Sequence, residues 1–137
     1  MGPIGTEKYD KEYKEKYDKY EQTDLGKEIN DCRWDLVEAH LFNISKPYIL
    51  DWGCGNGSFI RSAPEGWNVK GYDINPYSGY SDGWDFIKEP WSAITMWDVL
   101  EHMVDPYEFC KHAITSYIFV TVPDIAGVEG KIEDWRH

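Results

Sequence analysis

The run Ile49-Leu50-Asp51-Trp52-Gly53-Cys54-Gly55-Asn56-Gly57 carries an acid two positions before the first of three alternating glycines. Glycines spaced in this way permit positive φ and let the backbone approach a ligand closely. Set between a strand and a helix, such a turn points the helix's free N–H groups at that ligand. A second acid, Asp73, closes the apolar stretch Trp67-Asn68-Val69-Lys70-Gly71-Tyr72-Asp73. It lies about 20 residues past the first glycine, where a carboxylate takes hydrogen bonds from ribose hydroxyls. The pattern therefore predicts a ligand with an adenosine-like ribose. Asp51 then separates ligand classes by charge: a pyrophosphate at the turn would be repelled, whereas the sulfonium and ammonium of S-adenosylmethionine suit an acid. The competing reading is a tight turn with no ligand, which leaves the agreement of turn, acids and flanking elements unexplained.

Asp98, Glu101 and His102 form a second constellation at i, i+3 and i+4. If a helical turn starts at Asp98, all three side chains project on one side. Two carboxylates and an imidazole then serve one of three ends: a divalent metal, a general base on a hydroxyl, or a local cap. His40, His112 and His137 have no partner pattern, and the first two are expected in helices as surface or packing residues. Arg33 has two readings, a surface salt bridge or a contact to the ligand's methionine carboxylate.

The elements that must hold these residues follow from the rest of the chain. Its 137 residues suffice for one domain with one core. A net charge of −11, from 25 acids against 14 bases, makes nucleic acid a poor partner. The 3 cysteines are odd in number, without CxxC spacing, and read as reduced thiols. No apolar run approaches membrane-spanning length, and Met1-Gly2-Pro3 does not open a signal peptide, so a soluble, cytoplasmic protein without a membrane partner is expected.

Tyr9, Tyr13, Tyr17 and Tyr20 recur at helical spacing, placing four rings on one face of a charged helix over residues 7–20. That helix either docks its tyrosines on the domain or acts as a lid. A second helix is expected from Asp24 or Lys27 to Phe42, ended by Ser45-Lys46-Pro47. Strands are then expected at 48–52, 67–73, 84–87, 93–97 and 117–122, with helices over 58–63 and 107–113. Alternation of this kind predicts an α/β fold, a Rossmann-like, mostly parallel sheet with helices on both faces. Residues 1–46 would be an N-terminal helical segment and 47–137 the ligand-binding domain.

The sequence resembles the class I S-adenosylmethionine-dependent methyltransferases, in the small-molecule branch near the ubiquinone-biosynthesis O-methyltransferases. The resemblance rests on Ile49–Phe59, on Gly71-Tyr72-Asp73-Ile74-Asn75-Pro76, on Met96-Trp97-Asp98-Val99-Leu100-Glu101-His102 and on Phe119-Val120-Thr121-Val122-Pro123-Asp124, in the family's order. It implies strand order 3-2-1-4-5 and S-adenosylmethionine as cofactor, with S-adenosylhomocysteine as product. It places Gly53, Cys54, Gly55 and Gly57 against the methionine and ribose portion, with Asp51 beneath it. It puts Asp73 on the ribose, Ile74 on the adenine, and Trp97 and Asp98 at the methyl-donor pocket. Trp84-Asp85-Phe86 would lie near the adenine edge. The activity implied is methyl transfer to O or N of a small-molecule acceptor, with a non-catalytic ligand-binding module as the alternative. The family's domain continues past its fifth strand into a helix and an antiparallel strand pair, and here the sequence stops at Glu133-Asp134-Trp135-Arg136-His137. A fifth strand left as an edge would call for self-association or a protein partner.

Overall fold

The computed structural model describes residues 11–75, 77–80 and 88–123. The chain opens with two helices, α1 (Lys11–Glu21) and α2 (Asp24–Leu41). Thr23 caps α2, its hydroxyl accepting the Gly26 N–H at 3.1 Å and donating to the Tyr20 carbonyl at 2.6 Å. Gly26 is required at this corner: a Cβ there would sit 2.8 Å from the Tyr20 carbonyl oxygen and 2.9 Å from that of Glu21. The junction thus fixes how the end of α1 is presented.

β1 (Tyr48–Trp52), β2 (Asn68–Tyr72), β3 (Pro90–Trp97) and β4 (Ile114–Thr121) form a parallel sheet in the order β2-β1-β3-β4. These four strands stand in the relative order expected for the second, first, fourth and fifth of a 3-2-1-4-5 sheet. The expected strand at 84–87 lies outside the described residues. Among the described strands β4 pairs only with β3, and its Ile114, Tyr117, Ile118 and Val120 are exposed.

Both faces of the sheet are covered, as parallel strands require. On one face Trp34, Val37 and Leu41 of α2 pack with Ile49, Phe59, Ala93, Trp97 and Phe119. On the other, Phe109 of α4 (Pro106–His112) packs with Leu50, Trp52, Trp91, Ile94 and Met96. Strand alternation puts Asp51 on the Ile49 face, where its register partner on β3 is Thr95. So α2 shares a core with the sheet, and the side of the domain that carries Asp51 is the side that α2 covers.

Some boundaries differ from those expected. β3 and β4 begin at Pro90 and Ile114, ahead of the apolar runs at Ala93 and Tyr117, because the ladder continues through Pro90–Ile114 and Trp91–Thr115. Ser92 and Thr115-Ser116 interrupt the two apolar runs, and backbone pairing carries the ladder across them to Trp91 and Ile114. The helix after the glycine turn, α3 (Ser58–Arg61), is a single turn. No helical turn starts at Asp98. A 3₁₀ turn spans Leu100–His102 instead.

Candidate functional site

Gly53, Gly55 and Gly57 all hold positive φ, at 83°, 58° and 86°. Gly53 also sits on Val99, where a Cβ would fall 2.3 Å from Val99 Cγ2. Most of the turn's N–H groups are taken up within the protein. Those of Gly53 and Cys54 donate to the Tyr72 carbonyl at 2.7 and 3.0 Å, and that of Gly57 to the Cys54 carbonyl at 3.0 Å. Gly55 N–H donates to Asp73 Oδ2 at 2.8 Å, and Ser58 N–H to Asn56 Oδ1 at 3.0 Å. Five N–H groups between Gly53 and Ser58 are thus engaged within the protein, with a single helical turn behind them.

A cavity of about 1050 Å³ lies over this turn, between the sheet ends and the two N-terminal helices. Asp51, Gly53, Cys54, Gly55, Asp73 and Ile74 line it, as do Trp97, Asp98 and His102. Gly57 and Glu101 are not among its lining residues. Gly57 instead faces Tyr80, whose hydroxyl would lie 2.6 Å from a Cβ there, so its missing side chain serves packing.

Asp51 is buried at 2% exposure and accepts the Thr95 hydroxyl at 2.7 Å. Burial pushes its carboxyl up to about 7, against the opposing pull of Thr95 and Arg33. Asp73 accepts the N–H of Gly55 and, at 2.7 Å, that of Asn75. Burial raises its carboxyl too, with those two bonds working the other way. Each oxygen keeps a lone pair for a hydroxyl. Burial raises the Cys54 thiol, beside Asp51 and Asp73, so it stays protonated and unreactive.

Arg33 reaches the cavity from α2. Its guanidinium lies 5.1 Å from the Trp97 ring centroid and donates to Asn30 Oδ1 at 3.1 Å. Burial lowers it, while Asp51, Asp98 and Glu21 hold it charged. The Trp97 indole Nε1 is buried without a hydrogen-bond partner. Asp98 adopts φ 56°. Its N–H donates to the Thr121 carbonyl and hydroxyl at 3.1 and 3.0 Å, and its Oδ1 accepts the Thr121 hydroxyl at 3.0 Å. His102 lies 3.7 Å from Glu101. Among the described residues no group of three or more His, Cys, Asp or Glu is placed to hold a metal ion.

Several cavity residues were missed in the sequence. Asp18 and Glu21 come from α1, and Asp18 accepts Asn56 Nδ2 at 2.8 Å. Asn30 donates to the Ser58 hydroxyl at 3.2 Å. The charged run of α1 hides which of its acids turn inward. Of its tyrosines, Tyr20 lines the cavity at 47% exposure, while Tyr9 and the side chains of Tyr13 and Tyr17 lie outside the described set, as do Trp84-Asp85-Phe86. His40 and His112 are exposed on helices. No described helix is long and apolar enough to cross a membrane.

Compared with known proteins, residues 17–137 match the family described as Methyltransferase domain. Comparison with curated proteins and with solved structures finds no match.

Proposed function

The chain belongs to this methyltransferase domain family, and on that premise we propose that it transfers a methyl group from S-adenosylmethionine to oxygen or nitrogen of a small-molecule acceptor. The observation that carries the reading is the charge of the site. Asp51, Asp73, Asp98 and Glu21 surround a glycine turn most of whose N–H groups are engaged internally. Such a site repels a pyrophosphate and receives a cationic nucleoside.

The residues fit that cofactor. Asp73 has lone pairs for two ribose hydroxyls, and Ile74 offers an apolar surface beside it for adenine. Gly55 leaves the turn without a side chain where the ribose and methionine portion would lie, and Gly53 brings bare backbone to the same cavity. Arg33, half-buried and charged, suits the methionine carboxylate, a charge-assisted bond of the stronger kind. Asp51 offsets cationic charge from beneath. When bound, S-adenosylmethionine supplies a methyl group carried on a sulfonium. The chain's own work is then to hold the acceptor in line with it, which supplies most of the rate. Asp98 is positioned for that task, since Thr121 clamps both its backbone and its carboxylate. His102, on the same rim, is placed to take a proton from the acceptor hydroxyl or amine.

Calorimetry with S-adenosylmethionine and S-adenosylhomocysteine tests the donor half, and product formation from a panel of phenols, amines and sugars tests the acceptor half. No heat from either nucleoside rejects the reading. Binding without turnover on any acceptor leaves a ligand-binding module.

A further inference from the structure

Most carboxylates around the cavity have protein partners. Asp18 accepts from Asn56, Asp51 from Thr95, Asp73 from Gly55 and Asn75, and Asp98 from Thr121. Glu21 differs at one oxygen: Ser58 hydrogen-bonds its carboxylate, but its Oε2 is buried without a hydrogen-bond partner, although the residue lines the cavity. Its Oε1 would lie 3.7 Å from a Cβ on Gly55. The carboxylate therefore stands against the middle of the glycine turn, across the open space that this glycine leaves.

The position of Glu21 is built. It is the last residue of α1, and the tight contact of Gly26 with the Tyr20 and Glu21 carbonyls fixes its backbone. Asp18, one helical turn earlier, ties the same end of α1 to Asn56 of the turn. Arg33 stands on the neighbouring α2, close enough that the two opposite charges act on each other. A carboxylate with one buried oxygen left over and a half-buried guanidinium at one end of a cavity match the two charges of an α-amino acid. Burial raises the Glu21 carboxyl, with Ser58 opposing, and a bound cation relieves that penalty.

We infer that Glu21 is a specificity-determining residue that accepts the ammonium group of the ligand's methionine portion, with Arg33 holding the carboxylate. This rests on the donor reading above and deepens it: the N-terminal helices recognise the amino-acid end of the nucleoside, and the sheet recognises the adenosine end. A nucleoside with the same adenosine and thioether but no amino acid, such as 5′-methylthioadenosine, bypasses Glu21.

The experiment measures binding of S-adenosylmethionine, S-adenosylhomocysteine and 5′-methylthioadenosine to the full chain, wild type and Glu21→Gln, with the ligand-free Tm of each. Glu21→Gln is expected to weaken both amino-acid-bearing ligands by about ten- to a hundredfold, the worth of one charged hydrogen bond. It should leave 5′-methylthioadenosine unchanged and the ligand-free Tm unchanged or raised, since glutamine keeps an acceptor oxygen for Ser58 while the desolvated charge is lost. Unchanged affinity for S-adenosylmethionine overturns the inference while the donor reading stands. An equal loss for 5′-methylthioadenosine, or a lowered Tm, assigns Glu21 to the docking of α1 and overturns it likewise. Where 5′-methylthioadenosine binds too weakly to measure in wild type, the Tm comparison decides. If wild type binds none of the three, the donor reading falls and this inference with it.

Discussion

Asp73 accepts the backbone N–H of Gly55 at 2.8 Å, bridging 18 residues of chain. The carboxylate at the end of β2 and the middle glycine of the turn after β1 are therefore one unit. The acid that offers itself to a ribose also sets the shape of the loop beneath that ribose.

Replacing Asp73 should consequently cost both binding and stability. Asp73→Ala leaves the Gly55 and Asn75 N–H groups without their acceptor, a loss of roughly 1–3 kcal/mol where such donors are buried. Affinity for S-adenosylmethionine and for 5′-methylthioadenosine should fall together by at least about tenfold, because both carry the ribose. Calorimetry and urea unfolding check the two halves. Unchanged affinity would remove Asp73 from the ribose.

Asp51 makes stability depend on pH in a set direction. Its carboxyl is raised from 3.8 to about 7 in the folded chain. Between those values the native state holds a proton that the unfolded state has released. Stability from this group is thus complete below about pH 4 and is lost as pH rises to about 7. The full span corresponds to on the order of 4 kcal/mol. Asp51→Asn cannot ionise, so its stability relative to wild type should climb across that window and level off above it. Ligand binding should respond oppositely: near pH 6 a bound cation expels the Asp51 proton, and Asp51→Asn loses affinity. Unfolding series at several pH values, and binding heats in buffers of different ionisation enthalpy, measure these effects. A stability difference flat between pH 4 and 8 would contradict the burial argument.

Gly53 tests the turn itself. It combines φ 83° with a Val99 methyl 2.3 Å from the place a Cβ would take. Gly53→Ala should destabilise the fold by about 2–4 kcal/mol, from overpacking and an unfavourable backbone together. Val99→Ala in the same chain should recover only the packing part, because the φ strain remains. Thermal unfolding of the two single variants and the double variant separates the terms. Full recovery would show that backbone conformation matters little here.

The site was legible in the sequence where local chemistry announces itself. Asp51, the glycines and Asp73 follow from turn geometry and spacing within one βαβ stretch, and short apolar runs and helical spacing located four strands and α2. What stayed hidden depends on packing between distant segments. Glu21 is one acid in a helix full of them, and only the corner at Gly26 turns it inward. Gly57 looked like Gly55 in sequence, yet it faces Tyr80, because the residues after Asp73 fold back and pin the Tyr80 carbonyl on the Asp73 N–H at 3.1 Å. Thr121 is 23 residues from Asp98 and meets it only because β3 and β4 are neighbours.

Asp98 is the residue where conformation and chemistry meet most closely. A non-glycine at φ 56° carries strain of about 1–3 kcal/mol that its surroundings must hold. Aspartate and asparagine tolerate this region better than most residues, through local hydrogen bonds of their short side chains. Thr121 supplies those bonds here, accepting the Asp98 N–H and donating to its carboxylate. Three substitutions then separate strain from function. Asp98→Ala keeps a Cβ in the left-handed region and loses the Thr121 bond, so it should be the least stable. Asp98→Gly loses the same bond but relaxes the backbone, and should exceed the alanine variant by about 1 kcal/mol. Asp98→Asn keeps both the conformation and an acceptor oxygen, and should match wild type in stability. Only the asparagine variant then isolates the negative charge: it should bind S-adenosylmethionine within about threefold of wild type, a difference under 1 kcal/mol, yet lose most methyl transfer to any acceptor found in the panel. Turnover retained in Asp98→Asn would assign Asp98 to the architecture of the β3 end and leave His102 as the group that works on the acceptor.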